Sequence, residues 1–343
     1  MTPLSDPIIG SDLDSLVKRP GLERLKDEKI MITGGAGFLG SWLCDTLVSS
    51  GCIVHCVDNL STGVLRNIEH LSDRGNFAFQ NHDVTEPNLG DERYDLVAHF
   101  ASHASPEEYQ QRPIETLAVN SEGTRNMLEL ARKSDAPLVY ASTSEVYGNP
   151  EIIPTPESYW GNVNPIGLRS CYDEGKRFGE ALCMAYYRVY GLDVRIVRIF
   201  NTYGPRLRPD GLYGRVVSKF IEQALMNTEI TVYGEGNQTR SFCYVTDTVA
   251  GVLRAATRQE MKGEVVNIGS PQEITILQLA EKIKATARSK SKITFRPLQP
   301  DDPQRRCPNI SKAKRILGWS PNVGLEDGLG KTVEWFAKDK RGR

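Results

Sequence analysis

Tyr172 and Lys176 stand four residues apart in C-Y-D-E-G-K-R-F-G-E-A-L-C-M-A-Y-Y, which puts both side chains on one face of a helix, one turn apart. A tyrosine with its reference pKa near ~10 is a poor base at neutral pH. A neighbouring ammonium and a positively charged nicotinamide ring would stabilise the phenolate and lower that value. Upstream, S-T-S-E-V-Y-G follows the apolar run Leu138 to Ala141 and supplies Thr143, Ser144 and Glu145. Thr143 can share a hydrogen bond with the phenolate and a substrate hydroxyl. The set suits a base acting on a hydroxyl beside a nicotinamide. Y-x-x-x-K alone arises by chance in many helices, so its meaning depends on a nucleotide site elsewhere in the chain.

Lys29 to Gly40, K-I-M-I-T-G-G-A-G-F-L-G, provides that site. Ile30 to Ile32 is a short apolar run of the kind a buried parallel strand needs. Gly34, Gly35, Gly37 and Gly40 allow a tight turn, close approach of backbone to a pyrophosphate and close helix–strand packing. The helix that follows, ending at Gly51, turns the free N–H groups of its start (Gly37, Phe38, Leu39) and its positive dipole end toward phosphates. A second apolar run, Ile53 to Val57, ends at Asp58, where a carboxylate accepts from adenosine ribose hydroxyls and repels a 2′-phosphate. Strand, glycines, helix, strand and Asp in this order predict an NAD site, with NAD preferred over NADP.

The remaining elements fit around these. Asn59, Leu60, Ser61, Thr62 and Gly63 form a polar turn able to wrap the adenosine. A strand from Phe77 closes at Asp83 and Val84, beside the adenine edge. Tyr94 to Phe100 is a buried strand, after which Ala101 and Ser102 pass close to the cofactor. Pro113 to Ser134 reads as one long helix with Ile114, Leu117, Val119, Met127, Leu128 and Leu130 as apolar positions. Ligands in open parallel sheets sit outside the carboxyl ends of strands, which puts Ser142 to Glu145 beside the nicotinamide. The alternation of strand and helix predicts an α/β, Rossmann-type doubly wound parallel sheet.

Beyond Gly204 the elements shorten, and a smaller C-terminal substrate-binding lobe is expected. The boundaries are residues 1–28 for an N-terminal extension and 29–204 for the dinucleotide-binding domain, joined by roughly 241–270. Residues 205–240 and 271–338 form the smaller lobe, with helices at Val216 to Met226 and Thr275 to Arg288. Arg206, Arg215, Arg240, Arg305 and Arg306 are spread through it, and a basic set facing a cleft would suit a diphosphate. The N-terminal extension is read as a short amphipathic helix around Leu13 to Leu25, or as loosely held chain.

Forty-two Lys and Arg against 43 Asp and Glu give no electrostatic basis for nucleic-acid or membrane binding. Seven scattered cysteines without a C-x-x-C pair fit reduced thiols in a cytoplasmic protein and predict no metal site. Met1 to Glu28 has no apolar core of a signal peptide, and no segment has the length of a membrane span.

T-G-G-A-G-F-L-G together with Y-x-x-x-K resembles the extended short-chain dehydrogenase/reductases that act on nucleotide-sugars, over about Lys29 to Lys338. N-T-Y-G-P-R, Y-G-E-G-N-Q-T-R-S-F-C-Y-V-T-D and L-G-W-S-P are landmarks of that family. S-T-S-E-V-Y-G, C-Y-D-E-G-K-R and D-D-P-Q-R-R-C-P are similar to its UDP-glucuronate decarboxylase branch. The resemblance implies that Tyr172 takes the C4 hydroxyl proton as NAD accepts the C4 hydride. The 4-keto acid then loses CO2, C5 is protonated, and the hydride returns to give UDP-xylose. It places Ser144 and Glu145 near C5, and Asn201, Arg215, Arg240 and Arg306 on the substrate. It also implies a homodimer formed through the helices at Pro113 to Ser134 and Cys171 to Tyr190. Two positions depart from the branch: Ala118 stands where T-L-K-T-N has lysine, and His103 where H-L-A-S-P-A-S-P has proline. A nucleotide-sugar 4-epimerase is the alternative. A 4,6-dehydratase is disfavoured because Ser144 cannot act as the acid that expels water, and a non-catalytic dinucleotide-binding protein because Thr143, Tyr172 and Lys176 are intact.

Overall fold

The computed structural model describes residues 6–87, 90, 92–209, 215–298 and 303–341. Six strands are laid down in order: β1 (Lys29–Thr33), β2 (Ile53–Asp58), β3 (Phe77–Asn81), β4 (Leu96–His99), β5 (Leu138–Thr143) and β6 (Val194–Ile199). The edge strand Glu264–Ile268 joins them in one parallel seven-stranded sheet of order (264–268)-β6-β5-β4-β1-β2-β3. Helices cover both faces, so β1, β4 and β5 are buried almost throughout, as their apolar runs require. The order reverses between β1 and β4, and a crevice opens there at the carboxyl ends.

The N-terminal segment is better ordered than its sequence suggests. Helix α1 (Pro7–Val17) starts earlier than the expected amphipathic stretch, because Asp6 caps it by accepting from Ile8 N and Ile9 N at 2.8 and 3.2 Å. Ile8, Ile9, Leu13 and Leu16 are buried against α2 (Phe38–Ser49) and a later helix, α8 (Val245–Thr257). Buried Asp12 accepts from Tyr244 Oη at 2.5 Å and from Lys331 Nζ. These contacts pin the segment, which is not loosely held.

The long helix expected at Pro113 to Ser134 is a compound one. Helix α3 (Pro106–Gln111) precedes it; α4 (Pro113–Ala118) then runs through a π turn at Val119–Gly123 into α5 (Thr124–Ser134). A π turn carries one residue more than an α turn and rotates the downstream face. Of the expected apolar positions, Val119, Met127, Leu128 and Leu130 are buried, whereas Ile114 (73 % exposed) and Leu117 (41 %), upstream of the π turn, face outward. Helix α6 (Ser170–Tyr190) carries Tyr172 and Lys176 and packs on β5 and α4.

The remaining chain adds α7 (Val216–Leu225), α9 (Ile276–Thr286), α10 (Ser311–Leu317) and α11 (Leu325–Arg341), with short two- and three-stranded sheets. Helix α9 opens on a capping box between Thr275 and Gln278. Helix α8 packs on β6 and on the edge strand 264–268, which pairs with β6. Helix α10, which the sequence boundaries put in the smaller lobe, packs on α8 and the edge strand 264–268. All seven cysteines are buried and unbridged. Among the described residues no helix is long and apolar enough to cross a membrane, and no group of side chains could hold a metal ion.

Candidate active site

The crevice at the strand ends is a cleft of about 580 Å³. Gly34 turns at φ +69°, and a Cβ there would sit 2.8 Å from the backbone of Phe100 and Ala101. At Gly40 a Cβ would lie 2.1 Å from Gly34 O. Glycine is therefore obligatory at both. Gly37 is the N-cap of α2 and offers no side chain to its first-turn N–H groups, so Gly37, Phe38 and Leu39 present these to the cleft.

Asp58 ends β2 on the cleft wall, buried. Its Oδ2 accepts from Ala36 N at 3.0 Å and its Oδ1 from Leu60 N at 2.8 Å. Each oxygen keeps a lone pair for a hydroxyl. Gly63 does not line the cleft; a Cβ on it would press within 2.6 Å of the Asp58 carboxylate, so glycine there makes room for that group. Asn59, Ser61 and Thr62 line the wall. The turn they form is held from three sides, by Asn59 Nδ2 on Asp83 (2.8 Å), Arg112 on Ser61 O (3.3 Å) and Arg208 on Thr62 O (2.6 Å). Asp83, Val84, Phe100, Ala101 and Ser102 face the same cavity. Buried Thr33 accepts from Phe100 N and Ala101 N, which fixes that turn. This chemistry — free N–H groups at a glycine cradle, a carboxylate opposite them and a polar turn between — fits a dinucleotide.

His103 also lines the cleft, Nδ1 3.2 Å from Thr116 Oγ1 and Nε2 3.4 Å from Ser61 Oγ. Thr116 already donates its proton to Arg112 O, so His103 Nδ1–H donates to Thr116 and Nε2 accepts from Ser61. Burial and Arg112 push its pKa down, in keeping with this neutral tautomer. His103 thus ties the turn at Ser61 to α4. Ala118 is on the cleft wall nearby.

At the other end are Thr143, Ser144, Glu145, Tyr172 and Lys176, all lining the cleft. Lys176 was expected to lower the Tyr172 pKa, and its surroundings bear on that expectation. Lys176 is buried, its Nζ donates to Ala141 O at 2.9 Å and lies over the Tyr140 ring, and burial brings its pKa down to about 7. Burial pushes the Tyr172 phenol well above its ordinary value, with a hydrogen bond from Thr143 acting the other way. Tyr172 therefore stays protonated until further positive charge enters the cleft. Its ring stacks flat on Tyr109, at 5.2 Å between centroids and 2° between planes. Nothing in the sequence marked Tyr109.

Glu145 is the centre of a charge array. Arg306 gives it Nη1 and Nη2 at 2.5 and 2.8 Å, and Arg169 gives Nη2 at 2.5 Å. Burial alone would raise this carboxyl, but the two arginines bring it down to about 2. Arg306 and Arg240 stand behind the wall and do not line it; Arg240 donates to the carbonyls of Thr239 and Gln304. Asn201 and Arg215 do line it, Arg215 over the Phe38 ring. Arg169 was missed by sequence reasoning, although its place three residues before Tyr172, at the cap of α6, was the available signal. Ser142 turns its hydroxyl away, to Glu180.

A family model described as GDP-mannose 4,6 dehydratase matches residues 31–332. UDP-glucuronic acid decarboxylase 1 of Danio rerio is 50 % identical over 340 residues, covering 98 % of this chain and 80 % of that one. UDP-glucuronic acid decarboxylase 4 of Arabidopsis thaliana is 49 % identical over 319 residues, 92 % of this chain and 70 % of that one. Among solved structures, an epimerase from Methanothermobacter thermautotrophicus superposes with a TM-score of 0.86 at 28 % identity, over 99 % of this chain and 97 % of that one. A dTDP-glucose 4,6-dehydratase from Streptomyces venezuelae, solved with NAD bound, gives 0.84 at 27 % identity over 92 % and 98 %.

Proposed function

The chain belongs to the extended short-chain dehydrogenase/reductases, within the family described as GDP-mannose 4,6 dehydratase, and from that membership we propose that it decarboxylates UDP-glucuronate to UDP-xylose with NAD retained. The observation that carries the reading is Tyr172 on the same cleft as an arginine-clamped Glu145, in a chain half identical to UDP-glucuronic acid decarboxylases.

In this proposal Gly34, Gly37, Phe38 and Leu39 hold the cofactor diphosphate, and Asp58 with Asn59, Ser61 and Thr62 surrounds the adenosine ribose, Gly63 leaving room for the Asp58 carboxylate. Asp83 and Val84 lie at the adenine, and Phe100 to Ser102, Tyr172 and Lys176 at the nicotinamide end. NAD, when bound, supplies a hydride acceptor for C4 and gives the hydride back once CO2 has left. Tyr172 takes the C4 hydroxyl proton, with Thr143 orienting that hydroxyl. Loss of CO2 leaves an electron pair on C5 that the C4 ketone accepts, and one proton must then reach C5. Glu145, ionised by its arginines, cannot be that acid; with Ser144 it holds the ring. Asn201 and Arg215 face the nucleotide-sugar and Arg240 and Arg306 add positive charge behind the wall, the three arginines on a smaller lobe built from residues 205–240 and 271–338.

The test is to incubate purified protein with UDP-glucuronate and follow products by mass spectrometry and proton NMR. Loss of CO2 with UDP-xylose is expected; unchanged mass with inversion at C4 would make it an epimerase. For the cofactor, Asp58→Ala is expected to weaken NAD binding about tenfold or more and to erase the preference over NADP. The repulsion of a 2′-phosphate goes with the carboxylate, and unchanged selectivity in a binding titration would remove Asp58 from the ribose. A homodimer through α4, α5 and α6 is part of the reading, supported by exposed Ile114, Leu117, Phe178, Val189 and Tyr190 on α4 and α6. A monomer in sedimentation equilibrium would exclude it. Seven unbridged cysteines suit a cytoplasmic setting.

A further inference from the structure

Asp173 follows Tyr172 in the first turn of α6 and is 5 % exposed. Its Oδ1 has no hydrogen-bond partner among the described residues, and its Oδ2 is 3.9 Å from Arg169 Nε. That arginine is committed to Glu145 at 2.5 Å, and Arg306 grips the same carboxylate with both terminal nitrogens. Glu145 therefore has two guanidiniums, while Asp173 has one at a long distance. Burying an ionised carboxylate without hydrogen bonds is costly, and protonation removes the charge.

The surrounding groups can be named element by element. The turn after β5 presents Glu145, the strand Arg305–Arg306 presents Arg306, and α6 with its cap presents Arg169 and Glu174. Helix α3 presents Tyr109, whose ring lies 6.0 Å from the Arg169 guanidinium and whose hydroxyl burial keeps protonated. The π turn presents Asn120, uncharged, against Gly175. Burial first and Glu145 second raise Asp173 to about 8, against the pull of Arg169 and Arg306. With Asp173 protonated, Glu145, Arg169 and Arg306 together carry one unit of positive charge. With it ionised the four groups together carry none, and the member facing the cleft is the Glu145 carboxylate.

We propose that Asp173 is a positioning residue that sets the charge of this array, so that the cleft holds a carboxylate-bearing sugar only while Asp173 keeps its proton. The assignment rests on the reading of UDP-glucuronate as substrate. It does not make Asp173 a donor to C5, because Asp173 does not line the cleft.

The experiment is the pH dependence of KM and kcat for UDP-glucuronate, beside that of KI for UDP-xylose, a sugar without the carboxylate. Above pH about 8 the KM is expected to rise toward tenfold per pH unit, while KI stays flat and the limb is absent from kcat. Asp173→Asn, which is permanently neutral, is expected to lose the KM limb and keep its low-pH value. Parallel KM and KI profiles in the wild-type protein, or a limb that survives in Asp173→Asn, would overturn the assignment. Should that variant not fold, the two sugars compared in the wild-type protein still decide. Absence of turnover on UDP-glucuronate at pH 7 would instead overturn the substrate reading, so the two failures are distinct.

Discussion

Tyr172→Phe is expected to leave the fold and cofactor binding intact and to lower turnover by about 10²–10⁴-fold, the usual contribution of a positioned acid–base group. The substitution removes one oxygen and keeps the ring, so the flat stack on Tyr109 and the burial of the α6 face survive. Thr143 keeps its own hydrogen bond from Glu145 N at 3.2 Å, so the loop after β5 is not released. What is lost is the only atom at that position able to take a proton from a sugar hydroxyl. Lys176 does not take its place, because its Nζ is buried and donates to Ala141 O at 2.9 Å. Steady-state rates beside a thermal melt and a cofactor titration check this. A Phe variant within a few-fold of wild type would exclude Tyr172 as the base.

Glu145→Ala is expected to abolish turnover and also to cost stability. The Glu145, Arg169 and Arg306 side chains are only 14 %, 13 % and 6 % exposed, so removing the carboxylate leaves two largely buried guanidiniums facing each other. Breaking a buried pair in this way typically costs about 3 kcal/mol or more, and a lower melting temperature is the readout. Arg306→Met in the same background should restore part of that stability, since the orphaned charge goes, without restoring activity. A double variant no more stable than Glu145→Ala would show that the orphaned Arg306 charge is not the source of the loss. The pH sign follows from the depressed carboxyl. Its stabilisation is fully present above the unfolded value near 4.5 and is lost as pH falls toward about 2. Wild type should therefore lose stability more steeply than Glu145→Ala across that acid range.

The parts of this site that were legible in the sequence are those set by short-range rules. The glycines of the first turn, the apolar run before them and Asp58 at the end of the next strand lie within one βαβ unit, where spacing alone dictates position. Tyr172 and Lys176 share a helix face because helical geometry requires it. The strand ending at Thr143 delivers Ser144 and Glu145 because strands in such sheets carry ligands at their carboxyl ends. Even here, burial adds what spacing does not contain. Spacing put Lys176 one turn from Tyr172, and the fold buries it with Nζ donating to Ala141 O, which pulls its pKa down.

The sequence by itself determined the doubly wound sheet, the glycine turn before α2 and the shared helix face of Tyr172 and Lys176, since each depends on residues close together in the chain. The tertiary structure decided the rest. Arg306 reaches Glu145 across 161 positions of chain, and Tyr109 reaches Tyr172 from a helix that periodicity did not predict. The π turn at Val119–Gly123 changed which apolar residues of one helix are buried. Asp12 joins the N-terminal helix to Tyr244 and Lys331. In each case the partner is chosen by packing, and the protonation state follows from burial, which no spacing rule contains. Whether Asp173 is an ion or an acid depends on which of two carboxylates the arginines reach, and the fold gives both arginines to Glu145.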